Sequence, residues 1–120
     1  NESASIVLFS TVATKLGMPF HASIATAKSA IEGLTKSVAA DLAPKIRVNA
    51  IAPTITDTEL AAKFLRNDRM VESTIQRHPL KKYLEPKEVA AMATYLLSDV
   101  SKSISGQIFN LDCGIVSLKL

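Results

Sequence analysis

The chain has 120 residues, of which 48% are hydrophobic and 21% are charged, a balance typical of a folded globular protein and not of a disordered one. This length allows one domain at most, with a modest core. The net charge of +3 is too small, and too evenly spread along the chain, to favour nucleic-acid binding.

Cysteine content and hydropathy exclude further classes of protein. The single cysteine, Cys113, excludes an internal disulfide and a thiolate metal cluster, and it is typical of a reducing compartment. No apolar run approaches the roughly 18–20 residues that a bilayer span requires, and no secretory signal opens the chain. We therefore predict a cytoplasmic protein with no membrane, nucleic-acid or metal partner.

The first half of the chain predicts a strand, a long helix and a second strand. Residues 5–10 form a continuous apolar run, which predicts a parallel strand buried on both faces. A loop over residues 11–21 leads to a predicted helix at Ala22–Leu42, which the following Ala43-Pro44 cannot continue. Residues 45–52 predict the next strand, so that the three elements make a βαβ unit.

The long helix carries two contrasting faces. We expect its branched apolar stripe to pack on the sheet and its small-residue stripe to admit another helix, so that the helix is packed on both sides. The apolar stripe consists of Ile24, Ala27, Ile31, Leu34, Val38 and Leu42. The small stripe consists of Thr26, Ser29, Gly33, Ser37 and Ala40, and the polar wedge between the two contains Lys28, Glu32, Thr35 and Lys36.

The second half predicts a charged, loosely amphipathic region, a helix and a last strand. Residues 59–77 are highly charged, and the next helix is expected to begin at Pro86 and end at about Leu97. We expect Tyr95 to pack on the sheet, and the other residues expected to be buried on this helix are Val89, Met92, Ala93, Leu96 and Leu97. A third strand is expected within residues 106–114, which leaves the edge of the first strand open to pairing.

The central helix and the strand after it resemble the short-chain dehydrogenase/reductase family. The active-site helix of that family carries Tyr-x-x-x-Lys, and its next strand reads close to V-N-x-x-x-P-G. The matching stretches here are IATAK at residues 24–28 and VNAIAPT at residues 48–54. The lysine is present as Lys28, but Ile24 occupies the tyrosine position and Thr54 replaces the glycine.

Three further stretches match the family in the same order. Residues 53–58 resemble P-G-x-(I/V)-x-T, and residues 78–90 resemble H-P-L-G-R-x-G-x-P-E-E-V-A. Residues 106–114 resemble G-Q-x-x-x-x-D-G-G, with Cys113 in place of a glycine. The resemblance thus covers residues 5–114. It is specific because several separate stretches match the family in the same order and at the same spacing.

The resemblance implies an α/β fold, a partial doubly wound (Rossmann-like) parallel sheet of three strands with helices. The glycine-rich dinucleotide fingerprint of the N-terminal half is not present, since the four glycines are widely separated. We therefore expect residues 1–120 to be the C-terminal part of a short-chain dehydrogenase/reductase domain.

The resemblance also implies NAD or NADP as cofactor, a small-molecule carbonyl or alcohol as substrate, and homo-oligomers formed through the Ala22–Leu42 helix. The catalytic positions it implies are Thr11, Ile24 and Lys28. Thr11 lies thirteen residues before Ile24, where the family has a serine, and it can still offer a hydroxyl donor or simply cap the strand end. The cofactor-binding positions it implies are Lys28, Pro53, Thr54, Ile55 and Thr58.

The isoleucine at position 24 leaves the activity open. The family tyrosine transfers the proton during hydride transfer, and isoleucine has no ionisable group, so we expect a degenerate active site with weak activity unless another group, with His21 as the candidate, substitutes. Thr54 is expected to strain the backbone or block the cofactor if the position needs a glycine. The alternatives are an impaired oxidoreductase, a non-catalytic nucleotide-binding relative, and a dimerisation module.

Overall fold

A computed structural model describes residues 3–120 as a three-stranded parallel sheet with helices against it. The strands β1 (Ala4–Phe9), β2 (Ile46–Pro53) and β3 (Ile108–Leu111) lie in the order β1-β2-β3. The helices are α1 (Ala22–Leu42), α2 (Asp68–Arg77) and α3 (Pro86–Leu97), and short 3-10 turns occur at Val12–Thr14, Glu59–Phe64 and Asp99–Ser101. The α/β class, the parallel sheet and the βαβ unit are confirmed.

The central strand β2 forms the core. Val48, Ala50, Ile51 and Ala52 are fully buried between the neighbouring strands and the helices. Asn49 is equally buried, and its amide donates to Ile104 O at 3.0 Å while its Oδ1 accepts from Gln107 N at 3.1 Å. This buried asparagine therefore satisfies its polar atoms by fixing the loop that leads into β3.

The strand β1 is less buried than expected. Its residues alternate between exposed and half-buried, and Ile6 and Phe9 remain 37% and 45% exposed. The prediction of a strand buried on both faces was wrong for these residues, because within residues 3–120 β1 is an edge strand that pairs with β2 alone. Among the residues described, the outer edge of β1 thus presents unpaired backbone groups and apolar side chains.

The helix α1 has the predicted bounds but a rotated inner face. Thr35 and Ala39 are its buried residues, whereas Ile24 and Leu34 of the predicted apolar stripe are 42% and 49% exposed. Lys28, Glu32 and Thr35 of the polar wedge are turned towards the sheet instead, and the side chains of Lys28 and Glu32 hydrogen-bond at the end of β1. The fourth residue of the wedge, Lys36, is exposed. The small stripe lies in the open, so within the described residues α1 is packed on one side and not on two.

The helix α3 begins at Pro86 as expected and is capped by its own glutamates. The backbone N–H of Glu85 donates to Glu88 Oε2 at 2.8 Å, and the two residues form a capping box. Leu96 is fully buried, but Leu97 and Tyr95 are 52% and 44% exposed, so their predicted burial was wrong. Both lie near the end of α3, away from the side on which Leu96 meets the sheet.

The three strands point the same way, so their carboxyl ends lie at one edge of the sheet. There they lead into Ser10, Thr54 and Asp112, and each of these residues is buried. In doubly wound sheets, ligands bind outside this edge. Across residues 3–120, no helix combines the length and apolar character that a membrane crossing requires.

Candidate functional site

A cleft of about 690 Å³ opens at the carboxyl ends of β1 and β2. Its walls come from the turn after β1, the first turns of α1, the segment after β2 and the 3-10 turn Glu59–Phe64. All of the residues predicted for catalysis and cofactor binding line this one cleft: Thr11, Ile24, Lys28, Pro53, Thr54, Ile55 and Thr58. The structure therefore brings together residues that are far apart in the sequence.

Lys28 reaches from α1 to the end of β1. Its ammonium Nζ donates to the carbonyl oxygen of Phe9 at 3.0 Å, and the side chain is half-buried. Ile24 lies one helical turn earlier on the same side of α1, so both side chains face the cleft. Lys28 is thus a held cation at the cleft wall and not a freely solvated surface lysine.

Thr11 combines a capping role with a free hydroxyl proton. Its Oγ1 accepts from the backbone N–H of Ala13 at 3.3 Å, which caps the turn Val12–Thr14. A hydroxyl group has one donor hydrogen besides its acceptor lone pairs. Since Oγ1 of Thr11 donates to no other described residue, its hydrogen remains available to an oxygen atom in the cleft.

Glu32, Ser10 and Lys15 form an ionic cluster beside Thr11, which the sequence analysis did not identify. Ser10 Oγ donates to Glu32 Oε2 at 3.0 Å, and Lys15 forms an ion pair with Glu32 Oε1. Partial burial raises the pKa of Glu32, but hydrogen bonds from Lys15, Thr14 and Ser10 outweigh it and bring this pKa below its ordinary value. The carboxylate therefore ties the turn after β1 to α1, one helical turn beyond Lys28.

Thr54 is anchored by a buried histidine, His78. The Nδ1 of His78 lies 2.7 Å from Thr74 O, which can only accept, so Nδ1 carries the hydrogen and Nε2 accepts from the Thr54 hydroxyl at 2.7 Å. Both residues are buried, and Thr54 does not have a positive φ. The expected backbone strain at Thr54 was therefore wrong, because its side chain points at His78 with an ordinary backbone.

The segment after Thr54 offers backbone donors to the cleft. Within residues 3–120, the N–H groups of Ile55 and Thr56 donate to no other residue, although both residues line the cleft. Thr58 lies further out and caps the turn Glu59–Phe64 through Oγ1, which accepts from Ala61 N at 3.3 Å. Free amides, hydroxyls and the Lys28 ammonium match the carboxamide and ribose groups of a nicotinamide nucleotide, so these residues fit such a cofactor.

Ile24 places an aliphatic side chain at the cleft wall, one helical turn before Lys28. Neither Tyr83 nor Tyr95 lines the cleft. His21 does line it and is the N-cap residue of α1. Phe64 and Leu60, which the sequence analysis gave no role, form an apolar wall opposite α1.

Comparison with known proteins identifies the family of this chain. A family model described as enoyl-(acyl carrier protein) reductase matches residues 1–116. This chain belongs to the short-chain dehydrogenase/reductase family. It is 40% identical over 116 residues to a tropinone reductase homolog of Datura stramonium, an alignment that covers 93% of this chain and 43% of that protein.

Solved structures of the family give the same fold. The gluconate 5-dehydrogenase of Burkholderia cenocepacia in complex with NADP and tartrate is 28% identical, with a TM-score of 0.91 over 98% of this chain and 47% of that one. A 4-hydroxyisoleucine dehydrogenase complexed with NADH is 29% identical, with a TM-score of 0.89 over 96% of this chain and 48% of that one. The chain spans less than half the length of these family members.

Proposed function

We propose that this chain forms the nicotinamide and substrate side of an NAD(P)-dependent oxidoreductase site that acts on a small carbonyl or alcohol compound. The observation that carries the proposal is the meeting of Thr11, Lys28 and the 53–58 segment in one cleft at the carboxyl ends of parallel strands. A bound nicotinamide supplies or accepts the hydride in such a site. The titles of two similar structures, one with NADP and one with NADH, support this cofactor class and leave the choice between the two open.

In this proposal, each residue of the cleft has a distinct role. Lys28 donates to the nicotinamide ribose, with its ammonium held in place by Phe9 O. The amides of Ile55 and Thr56 donate to the carboxamide, beside Pro53 and with Thr58 at the outer rim. Thr11 donates its free hydroxyl hydrogen to the substrate oxygen and stabilises the charge that develops there.

The residue at position 24 of this site cannot transfer a proton. General acid–base catalysis contributes typically about 10²–10⁴-fold, and Ile24 cannot provide it. We therefore propose slow turnover in a site that retains nucleotide binding. A phenol introduced at position 24 would face the same cleft as Lys28.

We further propose that residues 1–120 are the C-terminal part of a longer domain. The chain spans 43% of its tropinone reductase relative, and the outer edge of β1 is unpaired within residues 3–120. In the native protein another strand would then pair with β1 and protect its outward amides from hydrogen exchange. Rapid exchange of every outward amide of β1 in the native protein would count against this arrangement.

The experiment that tests the oxidoreductase proposal uses the native, full-length polypeptide. NADH and NADPH are titrated against it by nucleotide fluorescence, and nucleotide oxidation is then followed with a panel of small ketones and aldehydes. Saturable binding with slow oxidation is expected. A protein that binds neither nucleotide would contradict the proposal.

A second candidate function is an association module without redox activity. The observation that favours it is the exposed small-residue stripe on α1, to which the backbone of another helix can approach closely: Thr26, Ser29, Gly33, Ser37 and Ala40. A stable homodimer disrupted by Ser37→Arg, with no affinity for either nucleotide, would favour this candidate. A cytoplasmic location stays a prediction in either case.

A further inference from the structure

His21 sits in the cleft with a defined orientation. It lies three residues before Ile24, and its side chain is half-buried. The ring nitrogen Nδ1 lies 2.7 Å from the carbonyl oxygen of Pro19, and the imidazole packs beside the Phe64 ring with centroids 6.4 Å apart. Two contacts from outside α1 therefore hold this ring at the cleft wall.

The contact with Pro19 decides which nitrogen of His21 is free. A carbonyl oxygen can only accept, so Nδ1 carries the hydrogen in this bond. In the neutral ring, Nε2 is then an acceptor, and in the charged ring it is a donor. Nε2 has no partner among residues 3–120, so it is available to a group bound in the cleft.

The other titratable groups around the cleft are unsuited to proton transfer. Both nitrogens of His78 are engaged, with Thr54 and with Thr74. Lys28 from α1 is held by Phe9 O, and Arg77 at the end of α2 keeps its proton at any physiological pH. Lys63 lies with its Nζ 5.0 Å from the Phe64 ring centroid, and no described residue lining the cleft carries a carboxylate.

We propose that His21 replaces the missing phenol as the proton donor and acceptor of this site, an inference that rests on the proposed oxidoreductase function. During reduction, a bound nicotinamide would supply the hydride to the carbonyl carbon, and the π electrons would move to the oxygen. That oxygen takes the proton from Nε2 of the charged imidazole and becomes the alcohol hydroxyl. The ring is left neutral and regains its proton from water, and alcohol oxidation runs in reverse.

The first test needs neither substrate nor cofactor. Nitrogen-15 NMR of the imidazoles in the native, nucleotide-free protein reports the tautomer, with His21→Gln used to assign the signals. The neutral His21 ring is expected to carry its hydrogen on Nδ1, which leaves Nε2 as the free acceptor nitrogen. A neutral ring protonated on Nε2 would overturn the inference, because its free nitrogen could not then act as the base.

The second test measures turnover of 2,3-butanedione with NADPH in the native protein and in two variants. His21→Gln keeps a polar side chain without a titrating group, and the kcat is expected to fall by about 10²–10⁴-fold. The NADPH affinity should stay unchanged, and the pH dependence of kcat near neutrality should disappear. The double variant His21→Gln with Ile24→Tyr should recover turnover, with its pH dependence moved to more alkaline pH.

The outcomes separate this inference from the function on which it rests. A His21→Gln variant with unchanged kcat and pH profile overturns the role of His21 and leaves the oxidoreductase function standing. Native protein that binds NADPH but turns over no carbonyl compound also overturns the role of His21 and favours a non-catalytic nucleotide binder. Native protein that binds no nucleotide overturns both.

Discussion

The ammonium nitrogen of Lys28 lies 3.0 Å from the carbonyl oxygen of Phe9, which ties the first half of α1 to the last residue of β1. This contact is non-local, and it turns Lys28, a residue of the polar wedge, towards the end of β1. It also fixes the position of the cation that we assign to the nucleotide ribose.

Replacing this lysine should weaken nucleotide binding. In Lys28→Met the aliphatic stem is kept while the ammonium is lost. A hydrogen bond to a charged group contributes about 1.5–3 kcal/mol, so the Kd for NADPH should rise by roughly 10–100-fold. Fluorescence titration of the full-length variants and the native protein measures this Kd. Lys36→Met is the matched control, because Lys36 is an exposed lysine on the same helix. Equal affinity in both variants would refute the assignment.

Restoring the family tyrosine should raise activity. Ile24 is 42% exposed at the cleft wall, so a phenol can be placed there without displacing core residues. In the His21→Gln background, Ile24→Tyr should increase kcat for carbonyl reduction by about 10²-fold or more, because the phenol then supplies the proton transfer that the variant lacks. Leu34→Tyr is the control, since Leu34 is similarly exposed on α1 but does not line the cleft. A gain in neither variant, with nucleotide binding intact, would show that the missing phenol does not limit turnover.

The bond between Thr54 and His78 should contribute to stability. Thr54→Val keeps the shape of the side chain but leaves Nε2 of His78 buried and unpaired. The free energy of unfolding should fall by about 1–3 kcal/mol, measured by urea denaturation. Thr26→Val, on the exposed stripe of α1, should change it by less than about 0.5 kcal/mol. Identical losses in the two variants would speak against a special role for the buried pair.

The carboxylate of Glu32 should make stability depend on pH. Its pKa in the folded protein lies below the ordinary value of 4.5, despite the opposing effect of burial, because Lys15, Thr14 and Ser10 hydrogen-bond to the charged form. The resulting stabilisation is therefore present above pH 4.5 and is lost as the pH falls through the folded value. Glu32→Gln should be less stable than the native protein near neutral pH and equal to it in strong acid.

Urea denaturation across the acidic range measures this difference for Glu32→Gln, and Glu59→Gln provides an exposed control. A Glu32→Gln deficit that persists unchanged in strong acid would mean that packing, and not charge, explains the effect.

The sequence predicted local structure and the membership of the cleft better than it predicted contacts across the fold. The apolar periodicity and the proline that follows placed α1 at Ala22–Leu42, which the structure confirms. The site residues meet because parallel strands share their carboxyl edge, so a motif at the end of β1 necessarily lies near a motif at the end of β2.

The errors all concern interactions between distant residues. The rotation of α1 depends on Lys28 and Glu32 bonding to the end of β1, which helical periodicity does not encode. The anchoring of Thr54 depends on His78, which lies 24 residues away and belongs to a stretch that was matched to the family without a role. The exposure of β1 reflects its edge position, which an apolar run alone does not reveal.

The proposed oxidoreductase function depends most on where a nucleotide binds. The direct measurement is a crystal structure of the native protein grown with saturating NADPH. We predict a nicotinamide ring in the cleft, with its carboxamide at the Ile55 and Thr56 amides, its ribose at the Lys28 ammonium, and His21 Nε2 facing the open substrate position. An empty cleft at saturating NADPH, or a nucleotide bound elsewhere on the protein, would contradict the account.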